Sequence, residues 1–176
     1  MFWGRLDFEP NVQALEWFCR HVWPALRAGA PGARFLIYGR SPVAAVRALA
    51  GQDGVTLTPD VPDLRAEVSR GQVVVLPFVS GGGVKSKLLE AASLGKAVLC
   101  TPRSCNGLYS DGPLPLVTAS GPGEWVRAVR SLWSAPDRLR ELGAKARQWV
   151  LRHHSWAAGG RVAAASLERA LRGQGQ

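Results

Sequence analysis

The stretch that decides the fold is QVVVLPFVSGGGVKSKLLEAASLGKAVLC, residues 72–100. It opens on an apolar run, Gln72–Pro77, and closes on another, Ala97–Thr101. Neither alternates with polar residues, which is the pattern of strands covered on both faces. Between them the spacing predicts a helix over roughly Val84 to Leu94, with Gly95 as its C-terminal cap. Three glycines precede that helix, and two lysines, Lys85 and Lys87, stand in its first turn.

The same alternation continues on both sides. Further strands are expected at Phe2–Arg5, Phe35–Gly39, Val55–Thr58 and Pro115–Val117. Leu15, Phe18, Cys19, Val22 and Leu26 recur at the spacing of one helix face. Pro10 suits the first turn of that helix, and Pro24 kinks or restarts it. Shorter helices fit Val43–Ala50 and Leu64–Ser69. Strand and helix in alternation imply an α/β protein built on a doubly wound, Rossmann-like parallel sheet. In such sheets ligands sit outside the carboxyl ends of the strands, where glycine-rich turns feed helix N-termini. Residues 81–85 occupy such a turn.

After residue 120 the pattern is helical only. Trp125, Val129 and Leu132 mark one helix, and Leu139, Leu142, Ala146 and Val150 the next. Ser155 is placed to cap a last helix with Trp156, Ala163, Leu167 and Leu171 on one face. Gly159 and Gly160 weaken that helix by about 1 kcal/mol each relative to alanine, so it is expected to depend on packing.

The whole chain has 176 residues, 47% hydrophobic and 20% charged, the composition of a globular protein large enough for a real core. No apolar run reaches the ~20 residues of a membrane span. The opening MFWGRLDFEP has no secretory-signal pattern. Cys19, Cys100 and Cys105 lack metal-ligand spacing and read as reduced thiols. Adjacent His153 and His154 point about 100° apart on a helix and do not share an ion easily. The net charge is +9, and lysine and arginine thicken after residue 126. It reads either as solvated helix faces or as attraction to an anionic ligand or membrane surface. No zinc-finger, RNA-binding or basic-zipper pattern accompanies it, so nucleic acid is not expected as a partner.

The glycine-rich turn by itself admits two readings. It is a plain surface turn, with Lys87 and Glu90 forming an i,i+3 ion pair. Alternatively it is a phosphate site, where unpaired amides of Gly82, Gly83, Val84 and Lys85 face an anion. Lys85 or Lys87 would then add a point charge, and Glu90 would accept from a ribose diol. A P-loop is excluded because Val84, not glycine, precedes Lys85. The turn after the first strand lacks GxGxxG.

Taken in order, these segments resemble the donor half of GT-B glycosyltransferases of family 4. PFVSGGGVKSKLLEAASLGKAVLCT is similar to that family's donor-site segment through Pro77, Gly81–Gly83, Glu90, Ala91, Gly95 and Val98. GRLDFEPN resembles the G-x-x-D-x-x-P-N opening of a bacterial polysaccharide sugar-transferase subgroup. FLIYGRSP, VTLTPDVPDL and HHSW resemble its second strand and turn, its base-flanking turn and its cross-over region.

The resemblance implies a metal-independent hexosyltransferase acting on a UDP- or GDP-type nucleotide-sugar, with no cofactor, in polysaccharide or glycoconjugate synthesis. It implies that Glu90 holds the ribose, and that Gly82, Gly83, Val84 and Lys85 face the diphosphate. Lys87 and Arg5, with Gly4 beside it, would stabilise the leaving group, and Asp60 and Val61 would flank the base. Residues 1–153 would form the donor domain and 154–176 a cross-over helix and tail. An N-terminal acceptor-binding domain would have to come from elsewhere. The expected location is the cytoplasm, with contact at the inner membrane face. Two positions depart from the family pattern. Gly82 stands where the first acid of E-x7-E would lie, and the lysine expected a few residues after Arg5 is absent. Both leave open a second reading, a non-catalytic nucleotide-binding or interaction module derived from the same domain.

Overall fold

The computed structural model describes residues 1–81 and 86–173. Six strands form two parallel three-stranded sheets. The first holds β1 (Phe2–Arg5), β2 (Phe35–Arg40) and β3 (Val55–Pro59), paired in that order, with Gly4 opposite Gly39. The second holds β4 (Val73–Leu76), β5 (Ala97–Cys100) and β6 (Val117–Thr118). Met1 joins them: its amine donates to the Val73 carbonyl at 2.8 Å, and Val75 N–H donates to the Met1 carbonyl at 3.0 Å. The strands therefore run β3-β2-β1-β4-β5-β6, and the order reverses between β1 and β4. That reversal is the switch point at which open α/β sheets bind their ligands.

Helices cover this framework. α1 (Glu9–His21) and α2 (Trp23–Gly29) follow β1, and α3 (Ala44–Leu49) and α4 (Leu64–Arg70) follow β2 and β3. Pro10 lies in the first turn of α1, and Pro24 in that of α2, so the second proline restarts the helix instead of bending it. Asp63 caps α4 by accepting from Ala66 N–H at 3.1 Å. α5 (Ser86–Ser93) ends as expected at Gly95, whose φ of +69° suits glycine. Every residue of β4 and β5 is buried, because helices lie on both of their faces.

The C-terminal helices are α6 (Pro122–Trp133), α7 (Pro136–His153) and α8 (Trp156–Gly173). α6 reaches α2 and α7, while α7 packs on α5 and β5. Trp125 of α6 is fully buried, edge-on to Phe18 of α1 with centroids 5.8 Å apart, and the Phe18 ring lies tilted against Phe35 of β2 at 4.7 Å. α7 approaches the α5–β5 turn so closely that a Cβ on Gly143 would overlap the Gly95 carbonyl.

Some expectations need correction. β6 begins at Val117, not Pro115, since proline has no N–H for a ladder bond. A short 3₁₀ turn at Pro102–Cys105 was not foreseen. Amphipathic aromatics such as Trp3, Trp125 and Trp156 suit a surface left for a partner domain, yet Trp3 and Trp125 are 3% and 0% exposed. Ser155 does cap α8, accepting from Ala158 N–H at 3.1 Å, but the apolar face of that helix is uncovered. Trp156 is 98% exposed, and Leu167 and Leu171 are also exposed.

Candidate functional site

At the carboxyl end of β1 the chain makes an opening by omitting side chains. Gly4 has φ +150° and Gly39, its neighbour on β2, has φ +152°, a region that side chains rarely enter. A Cβ on Gly39 would overlap the Gly4 carbonyl. One on Gly4 would lie 2.5 Å from Lys87 Nζ and 2.9 Å from Asn11 Nδ2. The space that Gly4 leaves is thus where the Lys87 ammonium, reaching from α5, comes over β1. Phe2 supports it from the same strand, with Nζ 5.3 Å from the ring centroid, a cation–π distance.

Two clefts open around this point. One, of about 430 Å³, is lined by Gly4, Arg5, Gly39, Arg40, Asp60 and Val61. The other, of about 620 Å³, is lined by Asp63, Arg65, Glu90, Ser93 and Arg147. Trp3 and Leu64 border both. Expected site residues from three segments of the chain therefore meet here: Gly4 and Arg5 at the end of β1, Asp60 and Val61 after β3, and Lys87 and Glu90 on α5. Gly82, Gly83, Val84 and Lys85 lie outside the described residues.

Glu90 is exposed at the rim, and its Oε2 accepts from the indole Nε1 of Trp3 at 3.1 Å. Lys87, three residues earlier, lies on the same side of α5. Arg5 is 70% exposed and forms a two-pronged pair with Asp7, at 2.8 and 3.1 Å. That pair holds the Asp7 carboxyl below its usual range and raises the Arg5 guanidinium. Asn11, buried in α1, fixes the turn by donating to the Arg5 carbonyl at 2.7 Å. Asp60 has φ +52°, one of two described non-glycine residues with positive φ. An aspartate tolerates this conformation better than most residues.

The exit of β4 is tied down as well. Thr101 Oγ1 donates to the Phe78 carbonyl at 3.0 Å, and Ser80 Oγ donates to Gln13 Oε1 at 2.6 Å. These bonds lead the chain from β4 past α1 towards the glycine-rich turn. Arg147 of α7 donates to the Ser93 carbonyl at 3.1 Å, placing a cation at the C-terminal end of α5. A third hollow, of about 580 Å³, lies at the amino ends of β2 and β4, with Arg34, Phe35, Gly71 and Val73 in its wall. It contains none of the expected site residues.

Three contacts were missed by the sequence reading. Trp3 and Asn11 are isolated polar contacts on an apolar strand and helix, and no spacing marks them. Cys100 and Cys105 lie with sulfurs 3.7 Å apart, brought together by the 3₁₀ turn. Their hydrogen bond lowers the Cys105 thiol to about 7 and, with burial, raises that of Cys100. The adjacent histidines both hold the loop before β6. His153 Nε2 lies 3.5 Å from Asp111 Oδ2, and His154 Nε2 is 3.0 Å from the Tyr109 carbonyl. Among the described residues no group of three or more His, Cys, Asp or Glu is placed to hold a metal. Nor is any described helix long and apolar enough to cross a membrane.

The family described as glycosyl transferases group 1 matches residues 1–135. No curated protein sequence matches significantly. Among solved structures, a glycosyltransferase from Rickettsia africae superposes with a TM-score of 0.71 at 11% identity, covering 97% of this chain and 47% of that one. HepE from Anabaena, solved with UDP, gives 0.73 at 11% identity, covering 96% and 48%. Sucrose-phosphate synthase from Thermosynechococcus elongatus gives 0.70 at 19% identity, covering 98% and 45%. The chain thus spans about half the length of these structures, and the likeness is one of fold.

Proposed function

The chain belongs to the glycosyl transferases group 1, and from that premise we propose that it binds the nucleotide-sugar donor for glycosyl transfer to a saccharide or lipid-linked acceptor. The observation that carries the reading is the convergence of Gly4, Lys87 and Glu90 at the reversal in strand order. A carboxylate and an ammonium on one face of α5 match the two ends of a nucleoside diphosphate. Glu90 would accept from the ribose diol, and Lys87 would meet the diphosphate.

In the transfer, the acceptor oxygen forms a bond to the anomeric carbon as the bond from that carbon to the diphosphate oxygen breaks. The electron pair leaves with the nucleoside diphosphate, and the acceptor proton passes to a base or to solvent. Lys87 would stabilise the charge that develops on the leaving group, and Arg5 would join it from β1. In this proposal the amides of Gly82, Gly83, Val84 and Lys85 face the same diphosphate. The base would enter the cleft of Asp60 and Val61. A UDP- or GDP-type hexosyl donor used without a metal ion fits this reading, and the UDP bound to HepE supports its nucleotide part.

We further propose that residues 1–153 make the donor domain, 154–176 the cross-over helix and tail, and that an acceptor-binding domain completes the site. The exposed arginines of α7 support work beside an anionic membrane face in the cytoplasm. A second reading, a nucleotide-binding module without transfer, is favoured by Gly82 standing where an acid would be expected. Calorimetry with UDP, GDP, ADP and TDP tests the donor reading. Binding of at least one, weakened in Lys87→Ala, is expected, and no binding of any contradicts it. Transfer by a two-domain form carrying this chain separates the first reading from the second.

A further inference from the structure

Glu90 is an exposed side chain with several rotatable bonds, and such a group ordinarily samples many rotamers. Here it does not stand alone. The indole N–H of Trp3 donates to its Oε2 at 3.1 Å. Trp3 itself is only 3% exposed and sits on β1 opposite Tyr38, so its ring has no freedom to follow a wandering carboxylate. The rigid partner sets the position of the mobile one. Trp3 also borders both clefts.

The arrangement has a counterpart one residue earlier. The Phe2 ring lies under the Lys87 ammonium at 5.3 Å. Two adjacent aromatic residues of β1 therefore each support one charged residue of α5. A carboxylate has about four acceptor positions, and the indole takes one. Oε1 and the second lone pair of Oε2 remain for a diol, which needs two acceptors side by side. A phenylalanine at position 3 would fill most of the same space but leave the carboxylate unheld.

We propose that Trp3 is a positioning residue for donor recognition, holding the Glu90 carboxylate at the cleft rim so that it meets a ribose diol already oriented. This rests on the ribose role proposed above for Glu90. Holding the acceptor in place beforehand lowers the ordering cost of binding. The effect is confined to ligands that carry a ribose, because inorganic pyrophosphate makes no demand on Glu90. Trp3 acts only through Glu90.

The test is a double-mutant cycle of Trp3→Phe and Glu90→Ala, read by calorimetry with UDP and with pyrophosphate. Trp3→Phe is expected to weaken UDP binding roughly three- to tenfold, the size of one ordered hydrogen bond, and to leave pyrophosphate unchanged. In the Glu90→Ala background it is expected to cause no further loss. Equal losses for both ligands, or an added loss without Glu90, would overturn the inference in favour of a packing role. A UDP affinity unchanged by Trp3→Phe but lowered by Glu90→Ala would overturn it while sparing the ribose reading. A Glu90→Ala protein with unaltered UDP binding would remove both. Should Trp3→Phe not fold, the wild-type indole N–H resonance of Trp3 gives a second readout. It is expected to shift with UDP and not with pyrophosphate, and the reverse result would overturn the proposal.

Discussion

Glu90 and Lys87 stand three residues apart on α5, and they should fail differently. Glu90→Ala is expected to weaken UDP or GDP binding by about 1–3 kcal/mol and leave pyrophosphate nearly unchanged. Lys87→Ala should weaken all three ligands, since the ammonium answers the diphosphate that they share. Paired calorimetric titrations check both, and equal losses for nucleotide and pyrophosphate in Glu90→Ala would mean a general electrostatic or folding role. Cys105 offers a test of the local electrostatics. Its hydrogen bond with Cys100 favours the thiolate and sets its pKa at about 7, so its alkylation should accelerate with a midpoint near that pH. Cys100→Ala should return the midpoint towards the ordinary range near 8.5, measured by mass spectrometry of the modified peptide. Residues of this scale were only partly legible in the sequence. Glu90 and Lys87 follow a glycine-rich turn and resemble a family pattern. Trp3 looks like any apolar strand residue, and its N–H acquires a role only when β1 and α5, 87 positions apart, come together.

At the scale of elements, the contact of α7 with the α5–β5 turn is the most exacting in the C-terminal half. Gly143→Ala would drive a methyl into the Gly95 carbonyl and should destabilise the fold by about 1–3 kcal/mol, read from the urea midpoint. Gly160→Ala, on the open side of α8, meets nothing within 4 Å and should raise stability or helix content by up to about 1 kcal/mol. A matching gain in both variants would mean that helix propensity, not the close approach, decides the first. The sequence named most elements because their signals are local: an apolar run, a proline in a first turn, a glycine after a last one. β4 and β5 were legible as uninterrupted apolar runs. β6 was misplaced because proline at 115 is apolar by composition but unable to bond in a ladder. The close seat of Gly143 was invisible, since a helical glycine carries no mark of what approaches it.

At the scale of the molecule, alternating strands and helices predicted a doubly wound α/β fold, and the order β3-β2-β1-β4-β5-β6 realises it. Which strands adjoin was not legible, because it rests on backbone hydrogen bonds through Met1. If the proposed acceptor domain closes over the donor and excludes water, this chain alone should transfer no sugar from nucleotide-sugars to saccharide or lipid-linked acceptors. A two-domain form should do so in the same assay, and robust transfer by the chain alone would refute that requirement.

The central claim is the place of the donor, and an amide chemical-shift titration of the chain with UDP and with GDP tests it most directly. The account predicts that at least one nucleotide perturbs Gly4, Arg5, Gly39, Asp60, Lys87 and Glu90 together, with a common saturation curve. Perturbations gathered instead at Phe35, Gly71 and Val73, at the amino ends of the strands, or no saturable shift with either nucleotide, would contradict it.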